Sequence, residues 1–226
     1  MRKLLYVPII HMEADMGSAA SAIDSKSASL CGEERWAKHK ETVAKFWGNV
    51  ADYFATVDTS NLKIYQDGLP ANGELGSRII EEGAKRGSKN HQIILNLMRR
   101  GAKLMKTEDP SLLKEEYKSI TRLTQSKSAA ERIIAYARYK LRKGQLTKAR
   151  DKFAAKTIDE TLKEGETGVL FIGSYHNVLP YLPEDIAVEQ VKDREKINAY
   201  FKELTSRGEG RRFEQLAEYL DSPCVS

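Results

Sequence analysis

Gly168-Val169-Leu170-Phe171-Ile172-Gly173-Ser174-Tyr175-His176 decides how this chain is read. A short apolar run bounded by glycines is the pattern of a parallel strand buried on both faces, and the histidine follows where the strand stops. Leu4 to Ile10 repeats the pattern near the start of the chain and leads into His11. Ligands of open α/β sheets bind beyond the carboxyl ends of the strands, so both histidines are candidates for one crevice.

Working outward, further strands are expected at Leu62–Tyr65, running into Gln66-Asp67-Gly68, at Ala102–Met105, and at Ile186–Val191. Helical patterns separate them. Glu34 to Val57 places Trp36, Val43, Phe46, Trp47, Val50, Tyr53 and Phe54 on one face, for core packing or as a ligand platform. Asp109-Pro110 reads as an N-cap followed by proline at the first helical position, opening a helical stretch that extends to Glu164 with breaks near Gln125–Ser128 and at Gly144. The C-terminal region reads as two helices around a break at Gly208 and Gly210. The segment from Glu13 to Glu34 lacks apolar periodicity and is expected to be a lid or a mobile loop. The expected architecture is a single α/β domain over residues 1–226. Its central, mostly parallel sheet has about five strands flanked by helices, with a helical insertion at about 109–145.

Composition narrows the function classes. Charged residues make up 31% and hydrophobic residues 41% of the 226, as in soluble globular proteins, and no apolar run approaches the roughly 18 residues of a membrane span. No membrane partner is expected. Met1 to Ala22 superficially resembles a signal peptide, but His11, Glu13 and Asp15 interrupt it, and the stretch reads as a first strand of a cytoplasmic protein. The net charge of +5 is modest, with acids interspersed among the bases. Without a nucleic-acid motif, pairs such as Arg99-Arg100 and Arg211-Arg212 rank that partner last. The two cysteines, Cys31 and Cys224, lack CxxC spacing, which excludes a zinc knot.

The chemistry-bearing residues cluster at expected strand ends. In an extended chain His11, Glu13 and Asp15 project the same way, as in a divalent-metal site or an acid/base pair; the other reading is a loop in which Asp15 caps a turn. Gly173 permits a sharp turn that would aim His176 into the crevice. Asp67 and Glu108 follow the second and third strands, and Arg150-Asp151 is read as the start of a helix carrying Phe153, Ala154, Ile158 and Leu162.

Arg150, Asp151, Ala154, Ala155 and Ile158, followed by the strand ending Gly173-Ser174-Tyr175-His176, resemble the superfamily that contains erythromycin esterase, the haem-binding ChaN lipoproteins, and the TraB and Tiki proteins. That superfamily ends its first strand with a second Gly-x-x-His, where this chain has Pro8-Ile9-Ile10-His11. Many members end the second strand with glutamate, where this chain has Gln66-Asp67. The resemblance implies a hydrolase-like enzyme acting on a small molecule or peptide. In that expectation His11 and His176 face one another and either bind a divalent metal with Glu13 or Asp67 or act as base and acid on a water, while Arg150 steadies an anionic group and Glu108 adds a carboxylate. The alternative is a binding protein for a small anionic ligand or haem. The helical insertion would cover the pocket or form a homo-oligomer contact.

Overall fold

The computed structural model describes residues 1–15, 20–125, 128–206 and 210–224. Strands β1 (Arg2–Ile9), β2 (Leu62–Gln66), β3 (Lys103–Met105), β4 (Thr167–Gly173) and β5 (Ile186–Gln190) form one sheet in the order β3-β2-β4-β1-β5. All four neighbouring pairs are parallel. The helices are α1 (Ala20–Cys31), α2 (Glu33–Thr56), α3 (Gly73–Lys85), α4 (Lys89–Arg99), α5 (Pro110–Thr124), α6 (Ala129–Thr161), α7 (Arg194–Leu204) and α8 (Arg211–Asp221).

The two most apolar runs of the sequence, β1 and β4, lie side by side in the middle of the sheet, where both of their faces are buried. β4 enters between β1 and β2, pairing Ile9 with Gly173 and Gln66 with Phe171. The loops carrying His11, His176 and Asp67 therefore leave three adjacent strands.

The two faces are covered differently. Leu5, Val7, Ile9, Ile64, Val169 and Phe171 pack under α2, α3, α4, α7 and α8, contributing Phe46, Trp47, Ile80, Ile94, Tyr200 and Phe213 among others. Leu4, Tyr6, Tyr65, Leu170 and Ile172 pack under Ala154, Ala155 and Ile158 of α6 and Leu162 just beyond its end, with Val178 from the loop after β4. Trp47 is a core residue, and its indole N–H donates to the Ile10 carbonyl at 2.9 Å, tying α2 to the end of β1.

Asp109 caps α5 through the Ser111 N–H, with Pro110 in the first helical position. Three local readings are corrected. Part of the expected lid is helix α1, an Ala- and Ser-rich helix that packs along α2 and has no apolar stripe to announce it. Gly144 does not break α6, which runs unbroken for 33 residues; the cost of one mid-helix glycine, about 1 kcal/mol, is small against the cooperativity of the long helix on either side of it. Arg150 and Asp151 consequently lie inside a helix rather than at its start. The break near Gln125–Ser128 separates α5 from α6, with Ser126 and Lys127 outside the described residues, as is Gly208 of the C-terminal break.

Candidate functional site

Six side chains from five segments, Asp67, Glu108, Glu116, Arg150, Asp151 and His176, converge beyond the carboxyl ends of β2, β3 and β4. Arg150, on the buried stretch of α6, holds them together. Its Nε and Nη2 donate to Glu108 at 2.6–3.0 Å, its Nη2 to Asp67 at 3.1 Å, and its Nη1 to Glu116 of α5 at 2.9 Å. The planar guanidinium is matched to three carboxylates at once, which an ammonium could not do. Glu108 is 3% exposed, and burial holds its carboxyl above the ordinary range against the pull of Arg150. Its position is set by the Leu69 carbonyl, which accepts from the Thr107 and Glu108 N–H groups, and by the Thr107 hydroxyl, which donates to the Gln66 carbonyl.

His176 sits in the turn after β4, closed by its own N–H donating to the Gly173 carbonyl at 3.0 Å. Its Nδ1 is 2.6 Å from Asp151 Oδ1, and the other oxygen of Asp151 accepts from the Asn177 N–H at 3.0 Å. A carboxylate there accepts, so Nδ1 carries the proton and Nε2 presents its lone pair in the neutral ring. Nε2 faces Asp67 Oδ2 at 3.7 Å, too far for a hydrogen bond, while the same oxygen accepts from the Gly173 N–H at 3.1 Å. Burial alone would lower the His176 pKa, but the hydrogen bond to Asp151 and the charge of Asp67 outweigh it and hold the imidazole above the usual histidine value. Gly173 leaves this gap open: a Cβ there would stand 3.2 Å from Asp67 Oδ2 and 3.7 Å from the His176 ring.

On its other side Asp67 lines a cleft of about 470 Å³ with His11, Asp15, Gln66, Arg86, Asn90 and His91 among its walls. His11 is thus near Asp67 but does not meet His176. Its nearest charged partner is Asp15, 3.9 Å away, and it lies close enough to His91 of α4 to lower that imidazole's pKa, after burial as the main cause. His11 emerges toward α4 and His176 toward α6, on opposite sides of the sheet. Glu13 opens a short 3-10 turn, closed by the Met12 N–H donating to Asp15 at 2.8 Å, and pairs with Lys40 at 3.5 Å. The turn replaces the extended chain that would have aligned His11, Glu13 and Asp15.

The donors expected to hold a divalent ion therefore do not fit one. His11, Glu13 and His176 belong to separate clusters, and no three His, Cys, Asp or Glu side chains converge as a metal site among the described residues.

Sequence reasoning missed several members. Asp151 reads as a residue at a helix start and as part of the family resemblance, without a place in the site, and Glu116 reads as one of many charges on a solvated helix. Tyr6 of β1 reads as a core residue, and it is fully buried, but its hydroxyl has no hydrogen-bond partner among the described residues. Burial pushes its pKa up to about 12; Arg194 opposes the rise while Asp151 and Asp67 add to it, so the phenol lies within the field of the network. Period-two alternation along β1 could have placed Tyr6 on the α6 side, but not its hydroxyl beside these charges.

No family model, no curated protein and no solved structure matches this chain.

Proposed function

We propose that this chain is a hydrolase-like enzyme in which His176 and Asp67 handle the protons of a nucleophile bound between the cleft and α6. One observation carries the reading: two hydrogen-bond acceptors, His176 Nε2 and Asp67 Oδ2, face each other at 3.7 Å with the far side of the imidazole locked by Asp151. Two acceptors in that relation call for a shared donor. A water or substrate hydroxyl placed there gives one proton to Nε2 and is oriented by Oδ2, while Asp151 stabilises the imidazolium that forms; the imidazolium then protonates the leaving group. Arg150 fixes the position of Asp67 through their ion pair, and the Tyr6 hydroxyl is a candidate donor to a developing oxyanion. The resemblance to the erythromycin esterase group supports ester or amide substrates, small-molecule or peptide, and the two free cysteines suit a cytoplasmic setting.

A panel of chromogenic esters and peptide amides tests this. His176→Gln is expected to lower turnover by about 10²- to 10⁴-fold, with little change in melting temperature at pH values above the raised pKa of His176. The wild-type rate should rise with pH through the raised pKa of His176, because the base must be unprotonated. Undiminished turnover in His176→Gln would remove the histidine from the chemistry. Arg86 and the two histidines of the cleft favour a second reading, a binder of a small anionic ligand; calorimetric binding of such a ligand without turnover would select it.

A further inference from the structure

The hairpin of α5 and α6 stands apart from the rest of the chain in charge and in exposure. Residues 109–145 contain nine lysines and arginines against four aspartates and glutamates, a net +5 that equals the net charge of the whole chain. The remaining residues sum to zero. From Ala130 to Gln145 every residue of α6 is exposed except Ala135 and Tyr139, one turn apart, which mark the side turned to α5. Ile133, Ala137 and Leu141, at successive four-residue steps, and Ile134 beside them form an apolar stripe on this bare stretch. Ile133 is 69%, Ile134 52% and Leu141 78% exposed. Arg138 and Lys140 flank the stripe on its two sides at helical spacing, and Tyr136, 54% exposed, lies at its margin. A groove of about 720 Å³ between the helices carries the same mixture, with Ile134 and Leu141 beside Arg138 and Arg142.

We propose that this outer hairpin is a docking surface for an anionic lipid bilayer, lying in the plane of the interface. An aliphatic stripe bordered by lysine, arginine and tyrosine is what partitions at the headgroup boundary, and the basic flanks select anionic headgroups. Charge decides against a second copy, since two such arms carry the same sign. Isolated aliphatic side chains decide against nucleic acid, whose phosphates and base faces would leave Ile133 and Leu141 uncovered. No helix among the described residues is long and apolar enough to cross a membrane, so the contact is peripheral.

Co-sedimentation of the full chain with vesicles tests the proposal. Vesicles of equal parts phosphatidylglycerol and phosphatidylcholine should bind it at least about tenfold more tightly than phosphatidylcholine alone, with the difference shrinking from about 0.1 M to about 0.5 M salt. The double variant Ile133→Asp, Leu141→Asp and the double variant Arg138→Glu, Arg142→Glu should each weaken binding by about tenfold or more. Because all four side chains are exposed, both should keep the wild-type melting temperature, which separates lost docking from lost folding. Absence of binding to either vesicle overturns the proposal, as does binding unchanged in the two variants. A salt-sensitive complex with duplex DNA or RNA that survives Ile133→Asp, Leu141→Asp, without vesicle binding, overturns it in favour of a nucleic acid. A dimer in solution that is broken by the same double variant, again without vesicle binding, overturns it in favour of self-association.

Discussion

The two faces of the sheet solve the same problem differently. One is buried under five helices by aromatic and aliphatic packing, the other under the inner half of α6 alone, and only the thin face carries the ionic network at its strand ends. Two buried histidines show what the difference does. His39, on α2 beneath the thick cover, stacks on Trp36 and Tyr200 and has its Nδ1 3.0 Å from the Tyr200 hydroxyl. Burial drives its pKa down to about 4. His176, nearly as buried, lies between Asp151 and Asp67, and its pKa is raised. Burial expels a proton where nothing answers the charge and retains it where carboxylates do.

That contrast can be broken at several points. The largest loss is expected from Trp47→Ala, about 3–5 kcal/mol in chemical denaturation, because a large ring leaves a cavity and the Ile10 carbonyl loses its donor. Arg150→Ala follows at about 3 kcal/mol, since Glu108, Asp67 and Glu116 would then face one another without a cation. A cost below about 1 kcal/mol would show that the network does not hold the thin face together.

The two histidines give opposite pH slopes. His39 favours the neutral ring in the fold, so its contribution is present above pH 6.5 and is lost as pH falls toward about 4, amounting to about 3 kcal/mol over that interval. His176 favours the charged ring, so its contribution is complete below the unfolded histidine value and is lost as pH rises through its raised pKa. Stability measured against pH in His39→Gln and in His176→Gln should each flatten one limb and leave the other; loss of the same limb in both would refute the assignment. Gly173→Ala should cost about 1 kcal/mol, as the added methyl presses on Asp67 Oδ2, and should impair turnover more than stability. The smallest effect, within about 0.5 kcal/mol, is expected for Leu141→Ala on the exposed arm; a larger loss would mean that the arm is part of the core.

How much was legible follows the range of the interaction. β1 and β4 are written as apolar runs, and the α5 cap as Asp109-Pro110, because a buried parallel strand and a helix start depend on residues next to one another. Helix α1 escapes a pattern reading because it has no apolar stripe, and Gly144 reads as a break because its local cost is weighed without the cooperativity of the long helix around it. Asp67, Glu108, Arg150 and His176 were each singled out at expected strand or helix ends, yet nothing in their spacing shows that one guanidinium bridges two of these carboxylates and a third from α5.

The sequence by itself determined the class of the fold, since alternating buried strands and amphipathic helices leave a mostly parallel sheet as the way to bury those runs, and it determined which residue types wait at the strand ends. Only the tertiary structure decided their partners. β4 entering between β1 and β2, and the different turns that follow the paired strand ends Ile9 and Gly173, sent His11 toward α4 and His176 toward Asp151 on α6. Contacts between residues more than a hundred positions apart, such as Asp67 with Gly173, are set by packing of whole elements, and no local pattern encodes them.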